Sequence, residues 1–413
     1  MIKNDYGHIN TPFYQQKENT GVNLIFIPKK SEEKSGVLYI PQGFYLHDNE
    51  INKTKINFGC PFLLQEMILD EKTREEINKE GKIESETTFS YTIYKITTKG
   101  DLIKLFNILL ERIRNLSLTD EIVESYKKKL ILEYKEDPLS ISKEKTIENM
   151  FFFSPMTNGT HCKGKDINKI HLTEMKKFLF RYYSLKSLTF IASYDAEPSS
   201  FLEDCKKIHF PIFPETKSVE KKFEENYSEV KEKRDIIICR DSLDNILTFG
   251  IKLDERKNLF EKFGELIFIF YEIVLDYLKE DEEFKKMLSD TNSSLLSMDL
   301  KEGYEDTFIL MSFKCEKFST LSNALSNHLS SIIKRKNRKY FKMIKENYMK
   351  KAEEILSDPD RLVYEFARVY ADNLPYTYVV DKVRKFSYSD FLRILETILS
   401  YPRCVTYMKK EEE

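Results

Sequence analysis

The chain has 413 residues, with 66 Lys and Arg against 68 Asp and Glu, 41% hydrophobic and 13% aromatic residues. That length predicts two domains of about 200 residues each, and that composition excludes disorder. A net charge of −2 argues against nucleic acid or an anionic membrane as partner, while the six cysteines, far apart and without a C-x-x-C pair, argue against a disulfide framework or zinc ribbon and fit a reducing cytosol.

The opening Met1-Ile2-Lys3-Asn4-Asp5-Tyr6 has no apolar leader core, and no later run has the apolar length of a membrane span. Asn23 to Pro28 follows Gly21 as a strand-like run, and Gly36 to Ile40 gives a second strand. Pro61 is placed for the first turn of a helix running to about Leu69, and alternation from Thr87 to Thr97 predicts one strand. A wide apolar stripe marks a helix at Leu102 to Leu116, and Thr119 is a plausible N-cap for another through Tyr134, ended or kinked by Asp137-Pro138. Helices at Ser142 to Phe153 and Thr173 to Tyr183 lead to a strand at Ser187 to Ser193.

From Phe210 to Lys233 the pattern loses its apolar period, which marks a linker. Beyond it the order repeats. Strands are expected at Ile236 to Cys239, Ile246 to Lys252, Ser293 to Leu300, Phe308 to Cys315 and Cys404 to Met408. Helices are expected at Leu259 to Lys279, Thr320 to Lys334, Lys339 to Leu356, Pro359 to Tyr370 and Ser387 to Leu399. The predicted organisation is α+β in two structural repeats: domain 1–212, linker 213–232 and domain 233–413, each a mixed or antiparallel sheet with helices on one face.

The segment Gly59-Cys60-Pro61-Phe62-Leu63-Leu64-Gln65-Glu66-Met67-Ile68-Leu69 resembles the zinc-binding helix of insulinase- and pitrilysin-type metallopeptidases, in which a Gly precedes H-x-x-E-H and aliphatic residues follow. Three further stretches are similar to that family: Asn19 to Pro28, Asp137-Pro138 with Glu148-Asn149-Met150-Phe151, and Gly164 to Met175 leading to Tyr183-Ser184-Leu185. The resemblance implies two homologous α+β domains, as in the small bacterial members. It also implies that the two imidazole ligands fall on Phe62 and Glu66, and the catalytic carboxylate on Gln65. The third ligand falls on Glu133 by one count and on Leu130 or Ile131 by another.

Zinc catalysis requires imidazoles at i and i+4 and a general-base carboxylate. Phe62 offers no donor, Gln65 is a poor base, and only Glu66 and Glu133 stand as weak metal candidates. The Arg and Tyr that hold substrate in active members have no counterpart between Phe284 and Asp299, where Lys285, Lys286 and Asp290-Thr291-Asn292-Ser293-Ser294 stand instead. Other sharp readings have blander ones beside them. His161-Cys162 reads as a loop pair rather than a metal site, and Cys60 as a small core residue rather than a nucleophile at a helix start. The run Lys334 to Lys339 reads as a solvated connection rather than a nucleic-acid contact, and the Phe151-Phe152-Phe153 run as core.

The expectation is a chain without catalytic residues, metal or cofactor. It would act as the non-catalytic subunit of an insulinase-like heterodimer in the cytoplasm, binding extended peptide by strand addition beside a homologous active partner. The alternatives are a divergent zinc peptidase using Glu66 and Glu133, and a chaperone-like peptide-binding homodimer.

Overall fold

The computed structural model describes residues 1–5, 11–44, 50–51, 54–133, 137–151, 167–214, 218–219, 233–239, 244–253, 259–264, 266–302, 307–332, 334, 337–370, 374–401 and 403–410. The first sheet contains β1 (Ile2–Asn4), β2 (Phe13–Lys17), β3 (Asn23–Pro28), β4 (Lys34–Ile40), β7 (Gly81–Thr87), β8 (Thr92–Thr98) and β9 (Thr189–Tyr194), in the order β1-β2-β3-β9-β4-β8-β7. Short strands β5 (Glu50–Ile51), β6 (Thr54–Lys55) and β10 (Ser218–Val219) form a separate small sheet, with β10 lying in the segment read as linker.

The second sheet contains β11 (Lys233–Cys239), β12 (Ile246–Leu253), β13 (Ser293–Glu302), β14 (Thr307–Cys315) and β15 (Arg403–Lys410), in the order β11-β15-β12-β14-β13. Taken from β3 onward, both sheets place the first strand beside the last, then the second, fourth and third. In both, the first and last strands are parallel and the other pairs antiparallel. The two halves are therefore topological repeats, as the sequence order implied.

The helices of the first half that matter here are α1 (Cys60–Ile68), α2 (Glu71–Asn78), α3 (Leu102–Arg114), α4 (Asp120–Glu133) and α5 (Pro138–Met150). Pro61 stands in the first turn of α1, where a missing N–H costs no hydrogen bond, and Asp70 caps α2 by accepting from Thr73 N at 2.8 Å. Strands β4 and β9 are buried on both faces. Gly36 meets the ring of Phe106 on α3, whereas its neighbour Ser35, pointing to the opposite face, bonds Asp360 of the helix Pro359–Tyr370.

That helix belongs to the second half by sequence. Conversely, α5 of the first half packs on β12 and β15 of the second sheet. Ser142 bonds Thr248 and Thr146 bonds Thr406, each at 2.8 Å between hydroxyl oxygens, and Gly250 leaves room for Met150. The compact units are consequently discontinuous. One comprises Met1–Tyr134, His161–Phe223 and Lys351–Asp381; the other comprises Lys135–Thr160, Glu224–Lys350 and Lys382–Glu413. A contiguous division at 212 and 233 differs from these units by the two exchanged segments, because each sheet buries one face under a helix of the other half.

Local expectations differ from the structure at several points. The single strand at Thr87 to Thr97 is a hairpin, turned where Thr88 Oγ1 accepts from Ser90 N and Tyr91 N. Asp137-Pro138 opens α5, with Asp137 Oδ1 accepting from Ser140 N at 3.0 Å. The helix expected from Leu259 to Lys279 is two, Leu259–Phe263 and Leu266–Glu280, separated at Gly264 with φ of 56°. Helices Glu282–Asp290 and Tyr376–Lys385 have no counterpart in the sequence reading.

Candidate functional site

The site is the altered motif helix α1 with the elements that surround its inner side: the hairpin β7–β8, α2, α3 and α4. Phe62, which the sequence reading puts at the first ligand position, turns its ring toward Phe44, with centroids 6.3 Å apart. Gln65 is buried. Its Nε2 donates to Ser85 Oγ at 3.0 Å, and its Oε1 accepts from the Thr87 hydroxyl. The Thr87 hydroxyl also lies 3.2 Å from that of Thr92, which donates to the Gln42 carbonyl at 2.9 Å. The carboxamide is thus the centre of a polar ladder that ties α1 to β7, the edge of the first sheet among the described residues.

Of Phe62, Gln65 and Glu66 only Glu66 is ionisable, and Arg74 of α2 approaches it at 4.0 Å. One turn on, Arg112 of α3 holds Asp70 at 2.8 Å and donates to the Met67 carbonyl at 2.9 Å. Beneath them the buried hydroxyls of Tyr94 and Tyr183 share a 2.8 Å hydrogen bond. Burial holds Tyr94 far above the ordinary phenol pKa, with Tyr183 and then Glu66 adding to the effect.

Tyr126 of α4 lies within electrostatic range of Asp70, Arg112 and Glu66. Burial raises its pKa, and the Asp70 carboxylate adds to the rise while Arg112 opposes it. The sequence reading puts the third ligand at Glu133 by one count and at Leu130 or Ile131 by another. Leu130 is a buried residue of α4 one turn beyond Tyr126, and the side chain of Glu133 lies outside the described residues. A sequence signal for Tyr126 did exist, since Val123, Tyr126, Lys127 and Leu130 share one helical face.

These residues do not fit a zinc ion. Phe62 has no lone pair, both ends of the Gln65 amide are engaged, and Glu66 is a single carboxylate next to a guanidinium. Among the described residues, no three His, Cys, Asp or Glu side chains come together as a metal site.

The other candidates are placed as follows. Cys60 is fully buried, its thiol 3.9 Å from Glu174 Oε2, which also accepts from Asn57 N at 2.9 Å. Burial raises the pKa of that carboxyl. Asp290 ends the helix Glu282–Asp290 and Thr291 and Asn292 form the turn into β13, while Lys285 pairs with Glu280 at 2.8 Å. Phe151 packs edge-on against Phe308. His161, Cys162, Phe152, Phe153, Arg335 and Lys336 lie outside the described residues.

No family model matches the sequence, and no curated protein matches it. Solved structures do match its fold. A protein assigned as an M16-like peptidase from Alicyclobacillus acidocaldarius superposes with a TM-score of 0.81 at 14% identity, over 98% of this chain and 99% of that one. A protease from Helicobacter pylori gives 0.81 at 14% identity, over 96% and 99%. A peptidase M16 inactive domain from Pseudomonas fluorescens gives 0.74 at 10% identity, over 98% and 99%. The chain has the two-domain fold of the insulinase-type M16 peptidases along nearly its whole length, as the resemblance of the motif helix and its flanks implied.

Proposed function

We propose that this chain is the non-catalytic subunit of an insulinase-type peptidase pair, holding an extended peptide or precursor segment beside a homologous chain that carries the intact H-x-x-E-H motif. The observation that carries this reading is the bonding of Gln65. Where a peptidase of this fold keeps its general base, the chain has an uncharged amide whose two ends brace Ser85 and Thr87 of the edge strand. A site kept for cleavage needs a base beside water; a site kept for binding needs a fixed edge. Strand addition along β7 would leave Ser85 and Thr87 on the α1 side and Glu84 and Glu86 on the other.

Two facts support the reading. The Pseudomonas fluorescens relative is itself an inactive domain, so the fold persists without the chemistry. Cys60, Cys205, Cys315 and Cys404 are buried free thiols, in keeping with the cytosol as the compartment.

The test is affinity purification of the tagged chain from its own organism, with the native mass of the complex. Recovery of a homologous H-x-x-E-H chain in one-to-one ratio is expected. A monomer that binds stoichiometric zinc and cleaves peptide in a chelator-sensitive way would establish the divergent-peptidase reading instead. A dimer of identical chains that binds peptide without cleaving it would establish the chaperone-like one.

A further inference from the structure

We propose that Glu86 makes the edge strand selective: an extended peptide added to β7 is held tightest when it carries Lys or Arg directly across from Glu86. The inference rests on the reading of β7 as a peptide-binding edge, and it names the peptide that this edge prefers.

The register of the hairpin decides which groups an added strand meets. Thr88 N donates to the Tyr91 carbonyl at 2.8 Å, and the pairs Glu86–Ile93 and Glu84–Lys95 follow in step. Hydrogen-bonded pairs alternate along an antiparallel ladder, so the main chains of Glu84 and Glu86 face β8 and those of Ser85 and Thr87 face outward. Ile83 N, the next outward donor, is taken by Asn78 Oδ1 at 3.2 Å. An antiparallel peptide bonded to Ser85 and Thr87 sets its intervening residue opposite Glu86. That pair is a non-hydrogen-bonded one, with Cα atoms about 4.5 Å apart, where side chains come closest.

The two carboxylates on that face differ in their partners. Glu84 pairs with Lys82 and, at 2.7 Å, with Lys95, which also pairs with Asp360 at 2.8 Å. Arg368, one turn beyond Tyr364 on the helix Pro359–Tyr370, pairs with Glu365 at 2.8 Å. Glu86 forms no ion pair among the described residues; its Oε2 accepts from the Tyr364 hydroxyl at 2.8 Å. Burial raises the pKa of that phenol and Glu86 adds to the rise, so Tyr364 stays a donor at neutral pH. The outermost strand thus holds one carboxylate whose charge is met and one, partly buried, that has only a neutral donor. A Lys or Arg opposite Glu86 gains a charge-assisted hydrogen bond, whereas an Asp or Glu there meets a like charge. The residue two positions along the peptide lies across from Glu84, where no charge is left to select it.

The test titrates the whole chain calorimetrically with N-acetyl-Thr-Val-Thr-Xaa-Thr-Val-Thr-amide, in which Xaa is Lys, Gln or Glu. The Lys peptide is expected to bind about fivefold more tightly than the Gln peptide, and the Glu peptide more weakly than either. Glu86→Gln keeps an oxygen for the Tyr364 hydroxyl and should bring the Lys peptide to the affinity of the Gln peptide, with unchanged far-UV dichroism. Glu86→Lys should reverse the order and place the Glu peptide first. Equal binding of the Lys and Gln peptides by the native chain, or a preference that survives Glu86→Gln, overturns the inference while strand addition stands. If none of the peptides binds, the edge-strand reading fails and this inference with it.

Discussion

The hydroxyl of Thr87, at the end of the edge strand, donates to the carboxamide oxygen of Gln65, the residue that the motif resemblance puts at the catalytic glutamate's position. Replacing Gln65 by Ala leaves the Ser85 and Thr87 hydroxyls short of a partner next to a buried cavity. A loss of about 1–3 kcal/mol is expected in urea unfolding. Gln65→Glu, which restores the carboxylate without the imidazoles, should also destabilise, because it sets a second negative charge one residue from Glu66 in a buried site. A variant as stable as wild type would remove the bracing role.

Tyr126 lies within electrostatic range of Glu66, and the proposal that it stands at the third-ligand position yields a metal prediction. The triple variant Phe62→His, Gln65→Glu, Glu66→His should bind zinc weakly, and adding Tyr126→Glu should tighten it at least tenfold in competition with a chromogenic chelator. Equal affinity in the two variants would exclude Tyr126 from that position.

On the second sheet, a Cβ on Gly250 would sit 2.6 Å from Met150 Sδ and 2.7 Å from Thr146 Cγ2. Gly250→Ala should therefore push α5 off β12 and cost about 1–3 kcal/mol as overpacking. Faster amide exchange across Ile141 to Met150 would localise the effect to that helix.

Asp137 caps α5 through Ser140. Asp137→Ala should cost about 0.5–2 kcal/mol, and Asp137→Asn, which keeps an acceptor, should recover most of it in thermal unfolding.

A pH dependence follows from Glu84. Lys82 and Lys95 hold its folded pKa below the ordinary carboxylate value. A depressed carboxylate contributes stability above its unfolded pKa, and that contribution disappears as pH falls through the folded value. The urea midpoint should thus drop on acidification below about pH 4.3, with a smaller drop in Glu84→Gln. The difference should shrink at high salt, because Glu84 is partly exposed.

The start of α1 was legible because Pro61 marks its first turn, and the apolar residues on either side of Gln65 and Glu66 carry it to Ile68. The edge strand β7 was not: only Ile83 of Gly81–Thr87 is buried, so the strand shows no alternation for a sequence reading to find. Its hairpin was hidden further by Phe89 and Tyr91, which are buried within the turn and prolong the apparent period. Tyr126 carries no metal-donor signature in the sequence, whereas the cluster around Glu66 and Asp70 sets carboxylates beside guanidinium groups. The exchange of helices was written only as a repeated dipeptide. Asp137-Pro138 and Asp358-Pro359 open the two exchanged helices in the same way, each Asp accepting from backbone N–H groups of the first turn.

That exchange governs how the molecule can be taken apart. A fragment ending at 212 would keep α5 without the sheet it covers and keep Ser35, Thr97 and Lys95 without Asp360. Each half would expose a face made for the other's helix, so the two can be separated neither by proteolysis in the linker nor by splitting the gene without handing each product an unmet apolar surface. The repeats read as two copies in sequence, but they are obligate joint tenants of both cores.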